Sequence, residues 1–251
     1  MMQQVLFEDL GLRHYKEIWE YQELLLKKNT DIKALLRKSD PPNVNHDTEP
    51  TLNHLLFVEH EPVYTLGKSG KESHVLINES ERTEKKIEYF HINRGGDITF
   101  HGPQQIVGYP ILDLEKFKTD LGWYLRCLEE VIILTMAEYG LTGERSPGET
   151  GVWLDANRKG RERKICAMGI KCSRWITMHG FALNVNTDLS YFDFIIPCGI
   201  QHKKVTSLQK ELGRELPLDE VKYKLKRNFE IVFDCELVHA YMNTVTMPSR
   251  S

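Results

Sequence analysis

The sequence predicts an α+β protein, a mixed sheet with flanking helices. Three observations carry this. Strand-like and helix-like stretches both recur over the 251 residues, without the regular alternation of a parallel α/β fold. Residues 13–28 and 120–139 space their apolar side chains at helical period. Residues 163–173 and 175–185 read as two neighbouring strands, preceded by hairpin-turn chemistry at Asn157, Arg158, Lys159 and Gly160.

In chain order, residues 4–10 predict a first strand with Val5 and Phe7 on one face. Residues 13–28 follow as a helix with Tyr15, Ile18, Trp19, Leu25 and Leu26 on one stripe. Residues 37–51 contain two adjacent prolines among Asn, Asp, Ser and Glu, and predict an exposed loop. Residues 52–59 predict a strand, and His60-Glu61-Pro62 a turn. The charge run 79–86 reads as a solvated surface segment. Residues 87–92 and 106–114 read as strands flanking a glycine-rich stretch. Asp120 is placed to cap the helix of residues 120–139 and Gly140 to end it. Pro217 stands where the first residue of a helix belongs, and Val221, Leu225, Phe229 and Val232 continue that helix. The tail 243–251 is expected to fray. No repeat or low-complexity linker divides the chain, so residues 1–251 read as one domain.

A formal net charge of −3 gives no global basic field, which argues against nucleic acid. No apolar run approaches the ~20 residues of a membrane-spanning helix, and the first residues lack a signal pattern. The five cysteines, Cys127, Cys166, Cys172, Cys198 and Cys235, are odd in number and include no Cys-x-x-Cys pair. That argues against a disulfide framework or zinc ribbon and for a reducing compartment, so the protein reads as cytoplasmic, with no metal.

The chemistry concentrates in four places. Residues 94–105 pack three glycines and a proline among Arg94, Asp97, Thr99 and His101. Successive N–H groups in such a turn can form an anion or oxyanion nest. Cys198 lies between Pro197 and Gly199. It is either a small buried hydrophobe or a nucleophile, and a nucleophile needs an activator, because a free thiol of pKa ~8.5 is mostly protonated at neutral pH. His101, His179 and His202 are candidate activators. So is Lys164, which opens a half-buried strand with Ala167 and Gly169; alternatively it is a surface lysine like its neighbours Arg158, Lys159, Arg161 and Arg163. The stretch His179-Gly180-Phe181-Ala182 leads an apolar strand that either lines a hydrophobic channel or is ordinary core.

Together these segments resemble the octanoyltransferase family of lipoate biosynthesis, the lipoyl(octanoyl) transferases or lipoate-protein ligase B. The resemblance rests on residues 94–105, 163–169, 177–184, Pro197-Cys198-Gly199 followed by Val205-Thr206-Ser207-Leu208, and the early Asp9-Leu10-Gly11 with Tyr15, Trp19 and Gln22. One position departs: the family reads His-Gly-Pro-Gly-Gln, and Gln104 replaces the second glycine. Residues 37–51 look like an insertion.

The resemblance implies the catalytic-domain fold of biotin and lipoate protein ligases, with Cys198 as nucleophile and Lys164 as its activating residue. It implies substrate contacts at Arg94, Gly95, Gly96, Asp97, Ile98, Thr99, Phe100 and His101, at Ala167, Met168 and Gly169, and at Gly180, Phe181 and Ala182. His101 and the glycine turn are expected to hold the developing oxyanion. The donor implied is octanoyl-acyl carrier protein, with the acyl group on a pantetheine arm and no further cofactor. The acceptors implied are apo lipoyl domains of 2-oxoacid dehydrogenase complexes and the glycine cleavage H protein. Docking of an acidic carrier protein is expected at Arg158, Lys159, Arg161, Arg163, Lys203 and Lys204. Two rivals are an ATP-dependent lipoate or biotin protein ligase of the same fold, and a non-catalytic protein that shelters acyl carrier protein or a lipoyl domain.

Overall fold

The computed structural model describes residues 2–38, 50–196 and 204–240. The chain runs through β1 (Gln3–Arg13), α1 (Tyr15–Lys38), β2 (His54–His60), β3 (Val63–Leu66), α2 (Glu79–Glu84), β4 (Glu88–His91), β5 (Ile98–His101) and β6 (Gln105–Ile111). It continues through α3 (Leu121–Ala137), β7 (Val152–Leu154), β8 (Arg163–Ser173), β9 (Ile176–Asn184), β10 (Lys204–Val205), α4 (Leu208–Leu212), α5 (Leu218–Phe233) and β11 (Cys235–His239).

Among the described residues the main sheet has the order β10-β8-β9-β6-β2-β1-β11, with β7 also paired to β8. It is mixed: β1 pairs in parallel with both β2 and β11, whereas β2, β6, β9 and β8 pair antiparallel. A smaller sheet has the order β4-β3-β5. Period-two alternation assigns the faces. On β2, Leu55 and Phe57 join the core beneath α3 and α5, while Leu56 and Val58 join the core beneath α1. Both faces are covered, so β2 reads as one apolar run rather than an alternating one.

The long helix begins as predicted, with Asp120 accepting the Trp123 N–H at 2.9 Å. The charge run is the short helix α2, closed by a capping box between Asn78 and Glu81. Pro217 caps α5 one position earlier than expected. The strand β11, which the sequence did not suggest, follows at once because Asp234 takes the left-handed conformation at φ 49°.

The largest departure is α1, which runs ten residues beyond the expected end. Its inward positions there are polar. Asn29 exchanges hydrogen bonds with the Leu52 backbone at 2.8 and 2.9 Å, and Lys33 meets Asp113 at 2.5 Å. Buried polar residues in helical register hide the period from a hydrophobicity reading. The expected loop 37–51 is therefore helical at Arg37 and buried at Thr51, whose hydroxyl donates to Asp113; residues 39–49 lie outside the described residues. The tail 243–251 also lies outside them. No described helix is long and apolar enough to cross a membrane.

Candidate active site

Between β5 of the small sheet and β6, β8 and β9 of the main one lies a cavity enclosing about 840 Å³, open solvent at its mouth included. Its floor is made of small residues in register: Ala167 faces Ala182, and Gly169 faces Gly180. Lys164, Met168 and Phe181 also line it, as do Arg94, Gly96, Asp97, Ile98, Thr99 and His101. Thirteen of the sixteen expected site residues thus meet on one cavity. Cys198 is not among them, because it lies outside the described residues, as do His202 and Lys203.

The other two exceptions have physical reasons. The Phe100 ring stacks on Tyr191 at 4.6 Å between centroids and packs into the small sheet's core. The N–H of Gly95 is taken by the Ile170 carbonyl at 2.9 Å, so it serves the scaffold rather than a nest. The glycine-rich stretch is also only partly a loop: Ile98 and Phe100 alternate inward, and β5 forms. Gly169 has to be small for its neighbour whatever the cavity holds, since a Cβ there would lie 2.7 Å from the Gly95 carbonyl oxygen.

Gly180 is tighter still, with a Cβ placed 2.2 Å from the Gly108 carbonyl oxygen. Backbone cannot yield as a side-chain tip can. Gly180→Ala is expected to destabilise the fold by about 3 kcal/mol or more through overpacking. Urea unfolding measures this; a midpoint unchanged from wild type would show that β6 and β9 separate freely.

Lys164 sits at one end of the cavity. Its Nζ lies 4.5 Å from the Trp153 ring centroid, a cation–π distance. Its backbone is held on the far side by β10, where Val205 pairs with Lys164, and by Thr206, whose N–H donates to the Lys164 carbonyl at 2.9 Å. Arg163, its sequence neighbour, faces a different world. Its guanidinium is bound by Glu211 at 2.6 and 2.7 Å and by Asp155 at 2.5 Å, and the Glu211 hydrogen bond raises its pKa further. Asp155 also holds Arg158 at 3.3 Å. Of the expected docking cations, Arg163 and Arg158 are therefore already paired in the described chain.

The Arg94 guanidinium is a brace: it donates to the Thr65 carbonyl at 2.7 Å, the Thr65 hydroxyl at 3.1 Å and the Gly95 carbonyl at 3.0 Å. Asp97 is another, meeting His74 at 2.6 Å. Both shape the loop that roofs the cavity.

His101 is buried and stacks on Tyr15 with ring centroids 5.9 Å apart. Its Nδ1 lies 2.9 Å from Gln105 Oε1. The Gln105 amide is oriented by its other end, where Nε2 donates to the Phe100 carbonyl and to Asn184 Oδ1, and Asn184 in turn donates to the Thr206 carbonyl. The reverse orientation would set oxygen against oxygen. His101 therefore carries its proton on Nδ1 and presents a bare Nε2. Burial, with His60 next in weight, holds its pKa well below 6.5. A neutral imidazole of this tautomer accepts at Nε2, so it does not donate to an oxyanion as expected.

His60, expected only as part of a turn, ends β2 fully buried between the Arg13 carbonyl and the Tyr109 hydroxyl. Burial lowers its pKa to about 4, and that of His179 to about 3. As pH falls below 6.5 the unfolded chain takes up protons that the folded chain refuses, so stability declines until the folded pKa is reached. His60 alone is expected to remove about 3 kcal/mol between pH 6.5 and 4. Denaturant titrations across this range check it: His60→Gln should flatten the slope by up to one proton, and an unaltered slope would contradict the neutral assignment.

The four described cysteines are poor nucleophiles. Burial pushes Cys127 up to about 11 and Cys235 up to about 12, and raises Cys166 and Cys172 as well. The cavity residues outside the marked segments, among them Tyr109, Thr150 and Phe192, come from several separate elements. Gln105 closes the marked stretch 94–105 but was not among the expected substrate contacts.

Residues 14–230 match the lipoyl protein ligase A/B catalytic domain family. The chain is 57% identical to an octanoyltransferase of Christiangramia forsetii, over 94% of this chain and 99% of that protein. It is 56% identical to an octanoyltransferase of Flavobacterium johnsoniae, over 95% of this chain and 100% of that one. Among solved structures, a bipartite lipoate protein ligase from Thermoplasma acidophilum has the same fold, with a TM-score of 0.68 at 15% identity, covering 97% of this chain and 89% of that one.

Proposed function

Because the chain belongs to the lipoyl protein ligase A/B catalytic domain family, and within it to the octanoyltransferases, we propose that it transfers octanoyl in the cytoplasm through a thioester on Cys198, the whole chain acting as one catalytic domain. The donor is octanoyl-acyl carrier protein. The acceptors are lysine ε-amines of lipoyl domains in 2-oxoacid dehydrogenase complexes and of the glycine cleavage H protein.

In the first half-reaction the Cys198 thiolate attacks the thioester carbonyl. A new C–S bond forms, the bond to the pantetheine sulfur breaks, and that thiolate leaves as the thiol with the proton given up by the Lys164 ammonium, which becomes the neutral amine. In the second, the acceptor amine attacks the enzyme thioester. The C–N bond forms, the C–S bond breaks, and Lys164 takes the amine's proton while the Cys198 thiolate is restored. The incoming thioester already carries the activation, so no cofactor enters. The acyl chain rests on Ala167, Gly169, Gly180 and Ala182, where each buried methylene contributes about 0.8 kcal/mol.

One observation carries this reading: the segments expected to hold the acyl group, taken from separate parts of the sequence, meet on a small-residue floor that ends at Lys164. The test is incubation with octanoyl-acyl carrier protein and an apo lipoyl domain, followed by intact mass. Octanoylation without ATP supports it. A strict ATP requirement would assign the site to an adenylating ligase, and a stoichiometric complex without turnover to a binding protein.

A further inference from the structure

The cavity has a second end. On β8, Lys164 and Ile170 are six residues apart, about 20 Å at strand rise, and Ile170 pairs with His179 of β9. Lys164 and His179 both line the cavity, one toward each end of that stretch. His179 is 2% exposed and has a φ of 60°, a left-handed conformation that is rare for a residue other than glycine and unusual within a strand. Its backbone N–H donates to Gln22 Oε1 at 3.0 Å. Its Nε2 lies 3.1 Å from Asn93 Oδ1, and Asn93 is oriented by donating its own amide N–H to Glu23 at 3.0 Å. Nε2 therefore carries the proton, and Nδ1 is a bare acceptor.

That Nδ1 is buried and has no hydrogen-bond partner among the described residues. Burial, with the Arg94 and Lys171 charges, keeps the ring unprotonated. A strained backbone and two fixed hydrogen bonds thus hold a ring that lines the cavity and keeps one acceptor unsatisfied, beside a floor of alanine and glycine. Buried acceptors without partners are uncommon and call for one.

We propose that His179 makes the far end of the cavity a subsite for a hydrogen-bond donor on the acyl chain, so that the site takes medium-length acyl groups bearing a hydroxyl near their far end. The inference rests on the acyl-transfer reading of the cavity. Hydrocarbon chains still bind the floor; a chain with a distal hydroxyl adds the bond that Nδ1 lacks.

The experiment compares octanoyl with 6-, 7- and 8-hydroxyoctanoyl thioesters of acyl carrier protein, reading kcat/KM as a ratio of hydroxylated to plain donor. The proteins are wild type, His179→Gly, which suits the φ of 60° and removes the ring, and His179→Asn, which tolerates that φ and keeps an acceptor near the Nδ1 position. For the best hydroxylated isomer, wild type is expected to match or exceed octanoyl. The ratio should fall about ten-fold in His179→Gly, as for the loss of one hydrogen bond to a substrate hydroxyl, and recover at least in part in His179→Asn. Equal ratios in wild type and His179→Gly overturn the proposal. If wild type transfers no acyl group to a lipoyl domain, the functional reading fails instead. Equilibrium binding of the free hydroxyoctanoic acids to the same three proteins then decides the His179 subsite, with equal affinities for wild type and His179→Gly counting against it.

Discussion

Exchanging Cys198 for alanine is expected to abolish octanoyl transfer, a loss on the order of 10⁴-fold or more, as when a covalent nucleophile is removed. The acyl-enzyme should disappear with it. The other four cysteines have thiols raised by burial, so they hold little thiolate at neutral pH. Cys198 is the remaining one, in its Pro197-Gly199 frame. The described residues nearest to it in sequence are anchored beside the site: Ile196 donates its N–H to the His74 carbonyl, and β10 pairs with Arg163 and Lys164. Intact mass before and after hydroxylamine, with peptide mapping, measures the outcome. Cys127→Ala and Cys235→Ala should keep a hydroxylamine-sensitive octanoyl adduct. An adduct mapped to another residue, or full turnover by Cys198→Ala, would end the thioester mechanism.

Lys164→Met is expected to cause two separable losses. Without the ammonium, Cys198 should form its thiolate only at higher pH, and each unit of that rise reflects about 1.4 kcal/mol of lost differential stabilisation. Transfer from the acyl-enzyme to the amine should also slow by about 10²–10⁴-fold, because the group that takes the proton is gone. Lys164→Arg separates the two. Arginine keeps the charge but does not give up its proton at working pH, so the thioester should form and then stall. Alkylation rate of Cys198 against pH, alongside single-turnover transfer from preformed acyl-enzyme, reads both steps. Identical alkylation profiles with unimpaired transfer in both variants would remove Lys164 from the mechanism.

The strands and the long helix were legible because their signals are local: apolar period, turn residues, a capping Asp120. What was not legible depends on partners far away in sequence. The extension of α1 is invisible until Asn29 and Lys33 are seen to meet Leu52 and Asp113. Arg163 and Lys164 look alike in sequence, yet Glu211 and Asp155 claim the first and the cavity receives the second. Phe100 was expected at the substrate because the resemblance covers the whole stretch 94–101, but its ring is taken up by Tyr191 and the small sheet's core. His101 was expected to donate, and only the orientation of Gln105 and Asn184 shows that it accepts at Nε2. Gln104 is instructive in the other direction. It replaces the glycine of the family pattern and still holds the left-handed backbone, at φ 63°. Glu59 accepts its N–H, and Asn186 and Thr187 both donate to its carbonyl. Three outside contacts hold a conformation that glycine would adopt without them.

The parallel pairing of β1 with β11 has a consequence for how the molecule assembles. Gln3 is matched to Cys235 and Phe7 to His239, so the first strand of the sheet is bordered by one that leaves the ribosome more than two hundred residues later. Such a contact closes the longest loop among the described strand pairs and brings its reward late. Until then β1 has β2 on one side and an open edge on the other, with unpaired backbone groups that invite strands from other nascent chains. The cavity-bearing strands β6, β8 and β9 lie on the opposite half of the sheet and pair antiparallel over much shorter separations. The half that does chemistry can therefore order before synthesis is complete, while the β1 border is the vulnerable interval in the life of the chain.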